Sequence, residues 1–230
     1  MIEFFTSSSF FAITLTLMIW RAANVLQKKS GSILLHPILV SVAAIILILL
    51  ATGMPNSAYQ ENMRPFSFLM TPATICLALP LYEQVKVLKK NLPAILLGVL
   101  CGTLASLFCV GALCLLFRLD PVMTVSLLPK SVTSAIGAPV SEALGGLGAV
   151  TVAVIIFTGI LGSVFGQLVC RLFRISDPIA QGTAIGTASH VIGTTKANEI
   201  GPIQGAVSSL SLVIAGVLTA FLVPLTAKLF

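Results

Sequence analysis

Charge is what this chain most lacks. Thirteen Lys and Arg with seven Asp and Glu make up 9% of 230 residues, where a soluble domain carries about 25%. That is too little to solvate a globular surface. Disordered, collagenous and coiled-coil chains are excluded too, because all need polar or repetitive composition. Aromatic residues are sparse at 7%, with one Trp, and no basic run with interleaved aromatics offers a surface to nucleic acid. No nucleic-acid partner is expected. Cys76, Cys101, Cys109, Cys114 and Cys170 form no CxxC pair and have no His at metal spacing. They read as small buried hydrophobes, and no metal or other cofactor is expected. There is no GxSxG elbow, and the adjacent Ser189 and His190 do not face each other on a helix. An enzyme is not expected. Glu3 and no basic residue precedes the first apolar run, so the start does not read as a cleavable signal peptide.

What is present is apolar length. Hydrophobic residues make up 57% and mean hydropathy is +1.08. Such a chain is an all-α polytopic membrane protein, each helix needing about 20 residues to cross. Six spans are expected, near Phe4–Trp20, Ile33–Thr52, Phe66–Tyr82, Leu92–Phe117, Leu147–Cys170 and Ala206–Leu225. The stretches after Arg21, over Met54–Arg64 and over Glu83–Asn91 read as polar loops. Residues 1–91 form an N-terminal set of helices, a scaffold, and 92–230 a core. Placing the N-terminus outside puts Arg21, Lys28, Lys29, Lys86, Lys89, Lys90, Arg171 and Arg174 inside, against Arg64, Arg118 and Lys228 outside. That bias fits the rule that basic residues stay cytoplasmic.

Two segments break the pattern, Asp120–Gly146 and Asp177–Gly205. They resemble each other. Asp120-Pro121 recurs as Asp177-Pro178, Glu142 as Glu199, and Gly148-Ala149-Val150 as Gly205-Ala206-Val207, all 57 positions on; Ile136-Gly137 recurs as Ile192-Gly193 with one gap. The units run about 120–176 and 177–230. Each holds one re-entrant or broken-helix segment and one full span, so the second copy is expected to be inverted. Paired inverted units with Gly/Pro-broken segments point to a secondary transporter with its site between them. Irregular backbone is tolerated at that depth only under protein or beside a water-filled cavity.

The broken segments carry the candidate chemistry. Lys130, Ser131, Thr133 and Ser134 in the first, and Thr187, Ser189, His190 and Thr194 in the second, suit a small organic anion: a cation, hydroxyls and free N–H groups at half-helix starts. Lys130 either serves that anion or Glu142, or snorkels to the interface. His190 either binds a carboxylate or carries a coupling proton, or is a hydrogen-bonded structural residue. Glu142, Lys196 and Glu199 are candidate gate or proton-relay residues; the two Glu equally read as helix caps or as partners of Lys130 and Lys196. Asp120 and Asp177, each before Pro, read as helix N-caps. Gly98-x3-Gly102, Gly162-x3-Gly166 and Gly182-x3-Gly186 have the spacing of close helix packing. His36 is given no role.

These residues resemble a known family. Leu-Pro-Lys-Ser-Val-Thr at 128–133, Ser-Glu-Ala-Leu-Gly-Gly at 141–146 and Gly-Thr-Ala-Ser-His at 186–190 look like the LrgB/CidB family. Leu81-Tyr82-Glu83-Gln84 and Gly205 to Leu210 continue the likeness, over about two-thirds of the chain. The resemblance implies a bacterial inner-membrane protein, often encoded beside a smaller LrgA/CidA-type membrane protein and first named as a holin- or antiholin-like factor in murein hydrolase control and lysis. Relatives linked to pyruvate uptake, and the similar plant plastidial glycolate/glycerate transporter, imply a carrier of small monocarboxylates. A homo-oligomer in the lipid bilayer is expected. The chain departs from the family at Ser134-Ala135, where Thr-Pro is commoner, and at Lys196, where Arg is common; Arg grips a carboxylate bidentately and Lys does not.

Overall fold

A computed structural model describes residues 8–30, 35, 37–69, 72, 75–76, 78–227 and 229. The first turn of the first expected span, the start of the second with His36, parts of the third, and Lys228 lie outside the described residues. Those residues hold eleven α-helices and no strand. They divide into two compact units, Met1–Cys76 and Leu77–Phe230. Four helices are long and apolar enough to cross a membrane, or five if one bent pair counts as a span. An all-α polytopic membrane protein is therefore what the chain folds into.

In the first unit, α1 (Ser9–Ser30) packs on α2 (Pro37–Thr52) and α3 (Asn56–Asn62), with the short α4 (Arg64–Ser67) following. Helix α1 does not stop at Arg21. The two apolar turns beyond it carry the chain to Lys28 and Lys29 in the last turn, where cations favour the negative helix end and long stems reach past apolar surface. The polar stretch after Met54 is also helical. Gly53, at φ 66°, and extended Pro55 turn the chain, so that α3 bends 119° away from α2. Thr16 donates to the Ala12 carbonyl at 2.7 Å, so the Tyr59 hydroxyl, also 2.7 Å away, donates to Thr16 and ties α3 to α1.

The second unit begins with α5 (Ala78–Glu83) and α6 (Val85–Leu116). Lys86, Lys89 and Lys90 stand within α6 rather than in a loop, because Lys is a good helix former and snorkels. Then come α7 (Pro121–Leu127), α8 (Ser134–Ala143), α9 (Gly148–Leu172), α10 (Pro178–Ile200) and α11 (Pro202–Thr226). Both broken segments open in the same way. Asp120 accepts from the Met123 N–H at 2.6 Å, Asp177 accepts from Ile179 and Ala180 at 2.9 and 2.8 Å, and Pro follows each as the first helical residue. The preceding spans end alike too, on left-handed Arg118 (φ 52°) and Arg174 (φ 55°).

Helix α10 is the hub, packed on α11, α9 and α6. Small residues let backbones approach where lipid removes the hydrophobic drive between helices. A Cβ on Gly98 or Gly102 of α6 would come 3.0 Å from the methyls of Thr183 and Thr187 on α10; one on Gly162 of α9 would meet Ser189; one on Gly186 would lie 2.8 Å from Cα of Ser208 on α11. All three Gly-x3-Gly pairs thus seat α10. Two apolar clusters complete the core, one around Ile95, Val99, Val207 and Ala215, the other around Leu107, Cys114, Leu128 and Val223.

Candidate functional site

The two segments break differently. Between α7 and α8 the chain leaves the helix at Leu128–Thr133, with Pro129 removing a donor and extended Thr133 (φ −69°, ψ 149°) starting α8. In α10 the break is one residue, His190 at φ 43°, ψ −140°. That backbone conformation is costly for a residue with a Cβ. It is held by the His190 ring, which is buried and donates from Nε2 to the Ile155 carbonyl of α9 at 2.9 Å.

Lys130, at the first break, is half-buried and lines a groove of about 730 Å³ with residues of α6 and α10. Its Nζ donates to Ser131 Oγ at 3.0 Å, and Ser131 Oγ lies 3.2 Å from Ser106 Oγ of α6. Thr187 also lines the groove and spends its proton on the Thr183 carbonyl at 2.7 Å. The rest of the lining is small: Ala94, Gly98, Gly102, Ala105, Cys109 and the alanines of α10 among it. Asp177 reaches the rim, already engaged by its own helix N-terminus. Among the described residues the ion pairs are Arg64–Glu61 and Lys196–Glu199; Lys130 has no carboxylate partner.

The other candidates fall elsewhere. Ser189 and His190 turn to α9, against Gly162 and Gly159. Thr194 is buried beneath α11, donating to the His190 carbonyl at 2.8 Å, with Ser208 Oγ also at 2.8 Å. Thr133 and Ser134 begin α8 and do not line the groove. Lys196 pairs with Glu199 at 2.7 Å on an exposed face of α10. Glu142 is exposed and lies over Gly148, the first residue of α9, where the helix dipole favours a carboxylate. Its counterpart over Gly205 is the amide oxygen of Asn198, not Glu199. The spatial equivalence of Glu142 is therefore at offset 56, one residue short of the offset expected from sequence. Sequence reasoning passed over Thr103, Ser106, Cys109 and Thr219. A signal was there: Thr103 and Ser106 are hydroxyls three apart inside the longest apolar run, hence on one helix face.

Residues 16–229 match the LrgB-like family. The chain belongs to that family. It is 35% identical over 218 residues to proteins named holin-like protein CidB from two strains of Staphylococcus epidermidis, covering 95% of this chain and 95% of each relative. No solved structure matches. The resemblance read from the Pro-Lys-Ser-Val-Thr and Thr-Ala-Ser-His stretches is thereby borne out, and this LrgB-like chain is a multi-pass membrane protein.

Proposed function

We propose that the chain carries small monocarboxylates, of the pyruvate, glycolate or glycerate kind, across the bacterial inner membrane by alternating access. The observation that supports this reading is Lys130, a cation without a carboxylate partner among the described residues, in a groove opposite the middle of an apolar span. A charge so placed is expensive unless it serves a ligand or pathway. In the proposal the N-terminus is outside, the repeat units are inverted, the protein is a homo-oligomer, and an LrgA/CidA-type protein is its partner.

The relatives' name, holin-like, favours a second reading over transport; in it, as the family resemblance implies, the chain is a holin- or antiholin-like protein that regulates murein hydrolase activity and cell lysis. Uptake of radiolabelled pyruvate into proteoliposomes separates the two, with this chain alone and then with an LrgA-type partner. A carrier gives saturable uptake, suppressed by unlabelled glycolate and lactate and showing counterflow. A holin-like protein leaks a trapped dye without saturation. Lys130→Gln is expected to abolish saturable uptake while leaving thermal stability unchanged, and wild-type uptake by that variant would remove Lys130 from the site.

A further inference from the structure

Beneath the groove lies a second space. It is a chamber of about 10 Å³ walled by the hydroxyl residues Thr103, Ser106, Ser131, Thr187 and Thr219, together with three apolar residues, from α6, the first break, α10 and α11. Such a volume admits about one non-hydrogen atom. Three of its residues, Ser106, Ser131 and Thr187, also line the groove. The chamber interrupts the apolar packing of α6, between Val99 of one core cluster and Leu107 of the other.

Hydrogen-bond accounting fixes what the occupant must do. Thr103 is 4% exposed and its hydroxyl has no partner; a buried hydroxyl left so costs about 1–3 kcal/mol. Lys130 has only donors and uses one on Ser131. Ser131 and Ser106 lie 3.2 Å apart, and either hydroxyl can donate to the other. Thr187 has spent its proton on Thr183 and offers lone pairs. The chamber thus presents a donor from Thr103 and an acceptor from Thr187. One oxygen that both accepts and donates meets these needs. A halide or carbonyl oxygen cannot donate, and a methylene hydrogen does neither.

We infer that this chamber is a specificity subsite for a single hydroxyl group, so that an acid whose carboxylate sits on Lys130 is selected by the hydroxyl on its neighbouring carbon, with Thr103 as the determining residue. The inference rests on the carrier reading and names which acids that site prefers: 2-hydroxy over 2-oxo, and 2-oxo over unsubstituted.

Competition against labelled substrate in proteoliposomes tests it, with lactate, pyruvate and propionate, which share three carbons and differ at one position. The wild type is expected to bind lactate at least about tenfold more tightly than propionate, with pyruvate between, since a site built for a hydroxyl rejects the analogue without it. Thr103→Val is expected to fold at least as stably as the wild type, because it removes an unpartnered hydroxyl, and to bring lactate down to the level of propionate. Thr103→Ser restores the preference. Equal affinity of the wild type for lactate and propionate, with saturable uptake of both, overturns the subsite and leaves the carrier standing. Equal weakening of all three acids in Thr103→Val also overturns it, by making Thr103 a packing residue. Binding of none of the three to the wild type removes the carrier reading and the subsite with it.

Discussion

The chain breaks a membrane helix twice, in the same place of a repeated unit, by two different means. The first break is six residues long, loosened by Pro129, and leaves Lys130 facing a groove. The second is a single strained residue, His190, whose side chain is turned into the protein and fastened to α9. One presents charge and the other presents tension. The unlike chemistry follows from the neighbours. At the second break, α10 is gripped by glycine stripes on α6 and α9 and seats its own Gly182 and Gly186 against α11, which leaves no room for a loop. At the first, Leu128, Pro129 and Val132 are buried, while Lys130, Ser131 and Thr133 are half-buried and carry the polar atoms.

Glycine substitutions sharpen this contrast most. In Gly186→Ala the new methyl would come 2.8 Å from Cα and 2.9 Å from the carbonyl carbon of Ser208. Backbone cannot step aside, so a loss of about 3 kcal/mol or more is expected, the upper end of overpacking. In Gly137→Ala of α8 the close neighbour is the tip of Ile155, at 2.5 Å. A side-chain end gives way, and about 1 kcal/mol is expected. Thermal denaturation in detergent reads both. Similar losses would mean that the two segments are held with equal rigidity.

Next come the break residues themselves. His190→Ala removes the ring's bond to the Ile155 carbonyl, a net loss of about 0.5–1.5 kcal/mol, and keeps a Cβ at a positive φ. His190→Gly removes the same bond but relieves the backbone. Glycine is therefore expected to be the milder change, by about 1 kcal/mol, against the usual order within a helix. Thr133→Ala, at an extended residue whose side chain makes no capping bond, is expected to change stability by less than about 0.5 kcal/mol. Denaturation curves of the three variants decide it, and an alanine variant milder than glycine would mean that His190 is not under strain.

Much of this was legible in the residues. Low charge and long apolar runs give an all-α membrane protein, and the paired Asp-Pro steps give both helix starts. The Gly-x3-Gly pairs named the stripes that seat α10, though not their partners, because spacing shows a face and not what covers it. The candidate anion site was legible only in part. Lys130, Ser131 and Thr187 do meet. Ser189 and His190 stand close to Thr187 in sequence but, two and three residues round the helix from it, turn to α9, and Thr194, past the break, lies beneath α11. Thr103 and Thr219 lie 116 positions apart, and only folding puts them on one chamber. The ends of α1 and α6 ran past the basic residues because charge marks an interface, not a helix end.

The smallest expected effect tests the likeness of the two units rather than their difference. Asp120 and Asp177 cap helices of unequal length, seven residues in α7 and 23 in α10. Each is exposed, so its worth comes from the N–H groups it satisfies and from the helix dipole. Asp120→Ala releases one bond and Asp177→Ala releases two. About 1 kcal/mol is expected from each, the larger at Asp177. Asparagine keeps the acceptor and loses only the charge, so Asp→Asn at either place is expected to cost a few tenths of a kcal/mol. The two caps share no partner, so the double alanine variant is expected to lose the sum of the single losses within about 0.5 kcal/mol. A loss far above the sum would mean that the two units unfold through each other. A silent Asp120→Ala beside a costly Asp177→Ala would mean that the first segment keeps the repeat's sequence without its energetics, and that only the second is held at its start.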